Sequence, residues 1–181
     1  MNLANKITIL RVLLVPLFIV FFYLDFQYSQ YIALAIFIIA SITDSIDGHI
    51  ARSRNLVTTF GKFVDPLADK ILTTSAFILL VGTGKIPSWV VIIILAREFI
   101  ISGLRVLAAS NGVTIAASKW GKIKTITQLI AIILLLLNNF PFSYIGIQLD
   151  YIMLYISLFF TVLSGIDYVQ KNIKILNLDD I

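Results

Sequence analysis

TDSIDGHIARSRNLVTTFGKFVDPLADK, residues 43–70, interrupts a chain that is strongly apolar on either side of it. The stretch holds four aspartates, Asp44, Asp47, Asp65 and Asp69. The apolar run that precedes it, from Tyr31 to Thr43, is too short to cross a hydrocarbon layer about 30 Å thick, which takes about 20 residues of helix. The helix that crosses must therefore carry Asp44 and Asp47 in its inner part. Counted back from Gly82, the outer end of the next apolar run, Asp69 and Asp65 reach a matching depth. At a rise of 1.5 Å per residue, both pairs lie roughly 20–25 Å from the outer ends of their helices. Each pair is spaced i,i+3 or i,i+4, so its members share a helix face. Two adjacent antiparallel helices would aim all four acids at one point just inside the cytoplasmic interface.

The rest of the chain supports a membrane setting. Of 181 residues, 59% are hydrophobic, against roughly 45–50% in soluble domains, and the mean hydropathy is +0.98. Segments 7–24, 31–51, 63–83, 87–109, 120–138 and 145–169 each have the length and apolarity of a span. The expected architecture is an all-α integral membrane protein, a bundle of six transmembrane helices forming a single domain over 1–181. No repeat, low-complexity run or soluble appendage is evident, and the first apolar segment reads as a mature helix because it lacks a small-residue cleavage site. The absence of cysteine excludes disulfides and thiolate chemistry.

Lysine and arginine set the orientation. Lys6 and Arg11 lie at the amino terminus, Arg52, Arg54 and Lys62 between the second and third spans, Lys119, Lys122 and Lys124 between the fourth and fifth, and Lys171 and Lys174 at the end. All fall on one side, while the opposite loops, around 25–30, 82–88 and 139–150, hold only Lys85. By the positive-inside rule, both termini and the aspartate stretch face the cytoplasm. Tyr28, Tyr31, Trp89 and Tyr144 suit an outer aromatic belt and Trp120 an inner one. The formal charge of +4 is mostly this topology signal. Scattered at helix ends without interleaved aromatics, it does not point to nucleic acid.

An aspartate near the bilayer centre costs about 2.5–3.5 kcal/mol, less toward the interface, and four together repel one another. Four carboxylates without convergent histidine or cysteine form a hard, all-oxygen ligand set suited to Mg²⁺, Mn²⁺ or Ca²⁺. Two such cations would cancel the four charges. The plainer reading, acids solvated or paired with Arg52, Arg54 and Lys70, accounts for one or two of them and not for the set. His49 matches no ligand face and reads as interfacial. Gly48 and Gly61 leave bare patches beside the acids where a ligand can approach the backbone, and Arg52, one turn beyond Gly48, is placed to reach a phosphate. Pro66 fits if the third helix begins near it.

Asp44, Asp47, Gly48, Ala51, Arg52, Gly61, Asp65 and Asp69 together resemble the signature of the CDP-alcohol phosphatidyltransferase family, with all eight fixed positions matching. "NKITILR" at 5–11, "DPLADK" at 65–70, "AREFIISGLR" at 96–105 and "GKIKT" at 121–125 resemble the branch of that family that uses glycerol 3-phosphate. Ala4 departs from that branch, where a proline is expected. The resemblance implies a six-helix membrane enzyme, a homodimer, with two divalent cations, Mg²⁺ or Mn²⁺, at a site open to the cytoplasm. The hydroxyl of glycerol 3-phosphate would attack the lipid-linked phosphate of CDP-diacylglycerol and release CMP. Asp44, Asp47, Asp65 and Asp69 would ligate the metals, with Asp69 also taking the acceptor's proton. Gly48, Arg52, Thr58 and Gly61 would hold the CDP part, with Asn5 and Thr8 closing over it.

The acceptor's own phosphate needs cations. Arg97 near the middle of the fourth span, Arg105 toward its cytoplasmic end, and Lys122 and Lys124 at the start of the fifth form the candidate set. The competing readings are a structural pair of Arg97 with Glu98 of a neighbouring turn or subunit, and lysines that serve only as topology signals. Within the family the alternative acceptors are inositol phosphate, serine and phosphatidylglycerol. Outside it stands a divalent-cation transporter, which the one-sided acids and the lack of interrupted inverted-repeat helices oppose.

Overall fold

A computed structural model describes the backbone of residues 3–53, 59–110, 115 and 118–172, and the side chains of 9–43, 70–109, 115 and 118–172. Six α-helices follow one another: α1 (Leu3–Tyr23), α2 (Ser29–Ser53), α3 (Thr59–Gly82), α4 (Ser88–Ser110), α5 (Lys119–Leu136) and α6 (Leu149–Asn172), with a short 3₁₀ turn at Phe142–Ile145 before α6. The apolar runs become helices because a backbone away from water must satisfy its own N–H and C=O groups. Breaks fall at turn formers. Gly84 takes a φ of 71° between α3 and α4, and Asn138, Asn139 and Gly146 take 52°, 59° and 71° between α5 and α6. Asn and Gly are the residues that enter this left-handed region at least cost.

Two helices differ from expectation in ways that matter. α1 begins at Leu3, so Asn5 and Lys6 belong to the helix instead of preceding it. α3 begins at Thr59, so Pro66 sits inside it and not at its first turn. The hydrogen bond a proline deletes is tolerated where neighbouring helices enclose the backbone.

The chain divides into two compact units, Met1–Thr83 and Gly84–Ile181. In the first, α1 packs against α2 and α3. Its core holds Phe18 against Phe37, with ring centres 5.8 Å apart, and the buried Ala33, Ala40 and Ala76. Small residues let helix backbones approach closely where no water drives association. Arg11, read from sequence as a charge at the membrane edge, is buried in this unit.

In the second unit α6 is central, packed along α5 and against α4. The apolar middle of this helix carries a buried polar line of Ser157, Thr161 and Ser164. Each hydroxyl donates down its own helix, to the carbonyls of Leu154 at 2.7 Å, Ser157 at 2.7 Å and Thr161 at 3.0 Å. The oxygens stay available to accept from other helices: Gln128 of α5 donates to Thr161 Oγ1 at 3.3 Å. At the far end, Asn139 donates to the Ile147 carbonyl at 2.6 Å and accepts from the Asp150 N–H at 3.2 Å. Lys85 Nζ donates to the Leu135 carbonyl at 3.3 Å, and Tyr151 donates its hydroxyl proton to the Lys85 carbonyl at 2.8 Å. Burial pulls the Lys85 ammonium below its ordinary pKa, and the Asp150 carboxylate opposes the shift.

Among the described residues, α6 is long and apolar enough to cross a membrane. Shorter apolar helical segments run over Ile9–Tyr23, Ser29–Thr43 and Lys70–Gly82. The helices also present large apolar side chains outward, among them Leu13, Ile78, Ile92, Phe99, Val106 and Phe159, more than a water-facing surface normally carries.

Candidate active site

The acids occupy adjoining ends of two neighbouring helices. Asp44, Asp47, Gly48 and Arg52 lie in the last three or so turns of α2, and Gly61, Asp65 and Asp69 in the first three or so turns of α3. The link between these ends is residues 54–58, and the two helices also pack on each other and on α1. Asn5 and Thr8 lie near the start of α1. The side chains of all these residues, and Thr58 altogether, lie outside the described residues. Their positions on the helices nevertheless give the i,i+3 and i,i+4 registers in real α-helix, and all four donors are carboxylates. That chemistry fits a hard divalent cation.

The cationic cluster belongs to the second unit. Arg97 of α4 donates from Nη1 to Glu98 Oε1 at 3.0 Å and from Nη2 to Ser164 Oγ of α6 at 2.9 Å. Lys124 of α5 donates to the same Glu98 oxygen. The side chains of Arg97, Lys124 and Glu98 are only 14%, 6% and 20% exposed. The Glu98 carboxylate therefore ties α4 to α5, and Arg97 carries the link on to α6. Two glycines frame the arginine. A Cβ on Gly165 would stand 3.2 Å from Arg97 Cγ, and one on Gly121 would stand 3.9 Å from Arg97 Nη2. Gly121 is placed by the start of α5, where its N–H donates to Ser118 Oγ at 3.0 Å as a helix cap.

Of the four cations singled out for an acceptor phosphate, Arg97 and Lys124 are thus brought together. The other two are not drawn onto Glu98: the Arg105 guanidinium lies 5.5 Å from the centre of the Tyr168 ring, and Lys122 is exposed. The pairing of Arg97 with Glu98 is present, and it comes from the adjacent residue of α4, with no second subunit required.

Residues 1–163 match the CDP-alcohol phosphatidyltransferase family. The chain belongs to this family. It is 45% identical, over 94% of its length and 95% of the relative's, to the CDP-diacylglycerol–glycerol-3-phosphate 3-phosphatidyltransferase of Bacillus subtilis. Proteins with the same name are similar to it at 38% identity in Rickettsia typhi, over 92% of the chain and 94% of the relative, and at 40% in Haemophilus influenzae, over 93% and 92%. As a CDP-alcohol phosphatidyltransferase the chain is a transferase of phospholipid biosynthesis, and the reading as a cation transporter is set aside.

Besides the charges of α4 and α5, two residues of α6 shape the cluster. Ser164 and Gly165 of that helix hold and make room for Arg97. A signal for them existed. Ser157, Thr161 and Ser164 recur at i, i+4 and i+7, a polar stripe on an apolar helix, which marks the side facing other helices.

Proposed function

We propose that the chain transfers the phosphatidyl group of CDP-diacylglycerol to the hydroxyl of glycerol 3-phosphate, giving phosphatidylglycerophosphate and CMP. The observation that carries this is near full-length similarity to relatives of that name. In the reaction a bond forms between the acceptor oxygen and the lipid-linked phosphorus, and the bond from that phosphorus to the oxygen of CMP breaks. Divalent-metal dependence is typical of the family. Asp44, Asp47, Asp65 and Asp69 are the residues that would hold two cations, Mg²⁺ or Mn²⁺. Bound there, they would polarise the attacked phosphate and neutralise charge on the departing CMP.

The chain's own residues divide the remaining work. Arg52, with the backbone near Gly48, Thr58 and Gly61, binds the CDP portion, and Asn5 and Thr8 of α1 close over it. Asp69 takes the proton released by the acceptor hydroxyl. Arg97 and Lys124 take the acceptor's phosphate, supported by Arg105 and Lys122 as outer positive charge. We place the enzyme in the cell membrane as a six-span chain with both termini cytoplasmic, on the lysine and arginine distribution and the outward apolar surface, and as a homodimer on the family resemblance.

The test is an acceptor panel: purified protein, CDP-diacylglycerol and Mg²⁺ or Mn²⁺, with CMP release measured for each acceptor. Glycerol 3-phosphate is expected to be used far better than glycerol, serine, inositol phosphate or phosphatidylglycerol. Equal or better use of any of these overturns the acceptor assignment and leaves the family assignment standing.

A further inference from the structure

The cluster around Glu98 contains a carboxylate that phosphate recognition by itself would not ask for. A site meant only to attract an anion gains nothing from an acidic residue at its centre, since that residue competes for the same donors. Yet Glu98 Oε1 accepts from both Arg97 and Lys124, the two cations proposed to take the acceptor's phosphate. In surroundings this enclosed, two unscreened cations on different helices repel each other strongly. A single carboxylate between them cancels one charge and fixes the distance between the two. The three side chains together remain singly positive.

The rest of the cluster is built to the same end. Arg97 is gripped on its second amino group by Ser164, whose own proton is committed to the Thr161 carbonyl. Its stem passes α6 where Gly165 leaves room, since a Cβ there would sit 3.2 Å from Arg97 Cγ. With Nη1 and Nη2 both held, Arg97 Nε is buried and has no hydrogen-bond partner among the described residues.

We infer that Glu98 is a positioning residue for the transfer, holding Arg97 and Lys124 at a fixed separation so that the phosphate of the acceptor meets a preassembled pair of cations. The inference rests on the proposed role of those two cations. Glu98 itself touches neither substrate. Removing its charge frees Lys124 and Arg97 to move apart, and capture of the acceptor then has to include the cost of bringing them back together.

A double-mutant cycle tests this, using the full-length enzyme in detergent or vesicles. Glu98→Gln, Lys124→Met and the double variant are compared by the KM for glycerol 3-phosphate, the KM for CDP-diacylglycerol and the thermal midpoint. The expected result is a rise of about ten- to a hundredfold in acceptor KM for Glu98→Gln, the scale of losing a supporting partner, with the KM for CDP-diacylglycerol within about twofold. In the Lys124→Met background the effect of Glu98→Gln should shrink severalfold, because one of its two clients is gone. Glu98→Asp, which keeps the charge on a shorter arm, should fall between wild type and Glu98→Gln. If Glu98→Gln lowers stability but leaves acceptor KM unchanged while Lys124→Met raises it, the positioning role is overturned and the phosphate site stands. Fully additive effects of the two changes overturn it as well. If Lys124→Met itself leaves acceptor KM unchanged, the phosphate-site reading fails and takes the inference with it.

Discussion

Asp44, Asp47, Asp65 and Asp69 are equivalent in chemistry but not in proposed role, and substitution separates them. Asp44→Asn or Asp65→Asn removes one charged ligand from a set whose charge balances two cations, so CMP release should fall to background while membrane insertion continues. Near-normal turnover by either variant with the metal chelated would refute the metal-ligand role. Asp69→Asn keeps an oxygen that can ligate but cannot take a proton. Binding of CDP-diacylglycerol with metal should persist while turnover drops by roughly 10²–10⁴, the usual scale for a positioned base. A parallel loss of nucleotide binding, read by equilibrium dialysis, would leave Asp69 a ligand only. The spacing of these acids was legible because helix register is a local property. The partnership of Arg97 was legible only in part, since Ser164 lies 67 positions further along the chain and no local pattern ties the two together.

At the level of elements, α6 organises the second unit by contributing small and polar residues where α4 and α5 need them. Gly165→Ala places a methyl group 3.2 Å from Arg97 Cγ, closer than ordinary packing. The arginine stem must give by a few tenths of an ångström. A moderate rise in acceptor KM, about two- to tenfold, is expected, because small misplacements of positioning groups are costly; an unchanged KM would show that the stem relaxes freely. The opposite end of the unit offers a pH test. Lys85 has a folded-state pKa below its ordinary 10.5 because burial disfavours its charged form. In the window just below 10.5 the unfolded chain holds more protons than the folded one, so stability should rise with pH there. A Lys85→Met variant should lose this slope in the thermal midpoint measured against pH, and an identical slope in both proteins would assign it to other groups.

For the whole molecule, the proposed orientation yields a labelling experiment that a chain without cysteine makes clean. Thr83→Cys lies just beyond the end of α3 and Lys119→Cys at the start of α5. In intact cells a membrane-impermeant maleimide should modify the first and not the second, and both should react after the cells are opened. The reverse pattern would invert the topology. The family match spans residues 1–163 and so extends across both units. Either unit expressed alone should therefore fail to release CMP from CDP-diacylglycerol.

Sequence by itself determined where the helices run and which residues share a turn. Both depend on nearest neighbours: a run of apolar residues must close its own hydrogen bonds, and a register of three or four positions is fixed once the helix exists. It placed the helix ends less well. Asn5 and Lys6 continue α1 beyond its apolar stretch, and α3 runs through Pro66, because hydropathy records the solvent a segment prefers and not the length of its hydrogen-bond ladder. Tertiary structure alone decided the fate of Arg11 and Lys124. Arg11 counted as a surface signal by its position and is buried by packing. Lys124 counted as a topology signal or a phosphate ligand and is joined to Glu98 of α4, since a charge enclosed among helices takes the partner that another helix brings within reach; the Arg97–Glu98 pair, between neighbours on one helix, was open to the sequence.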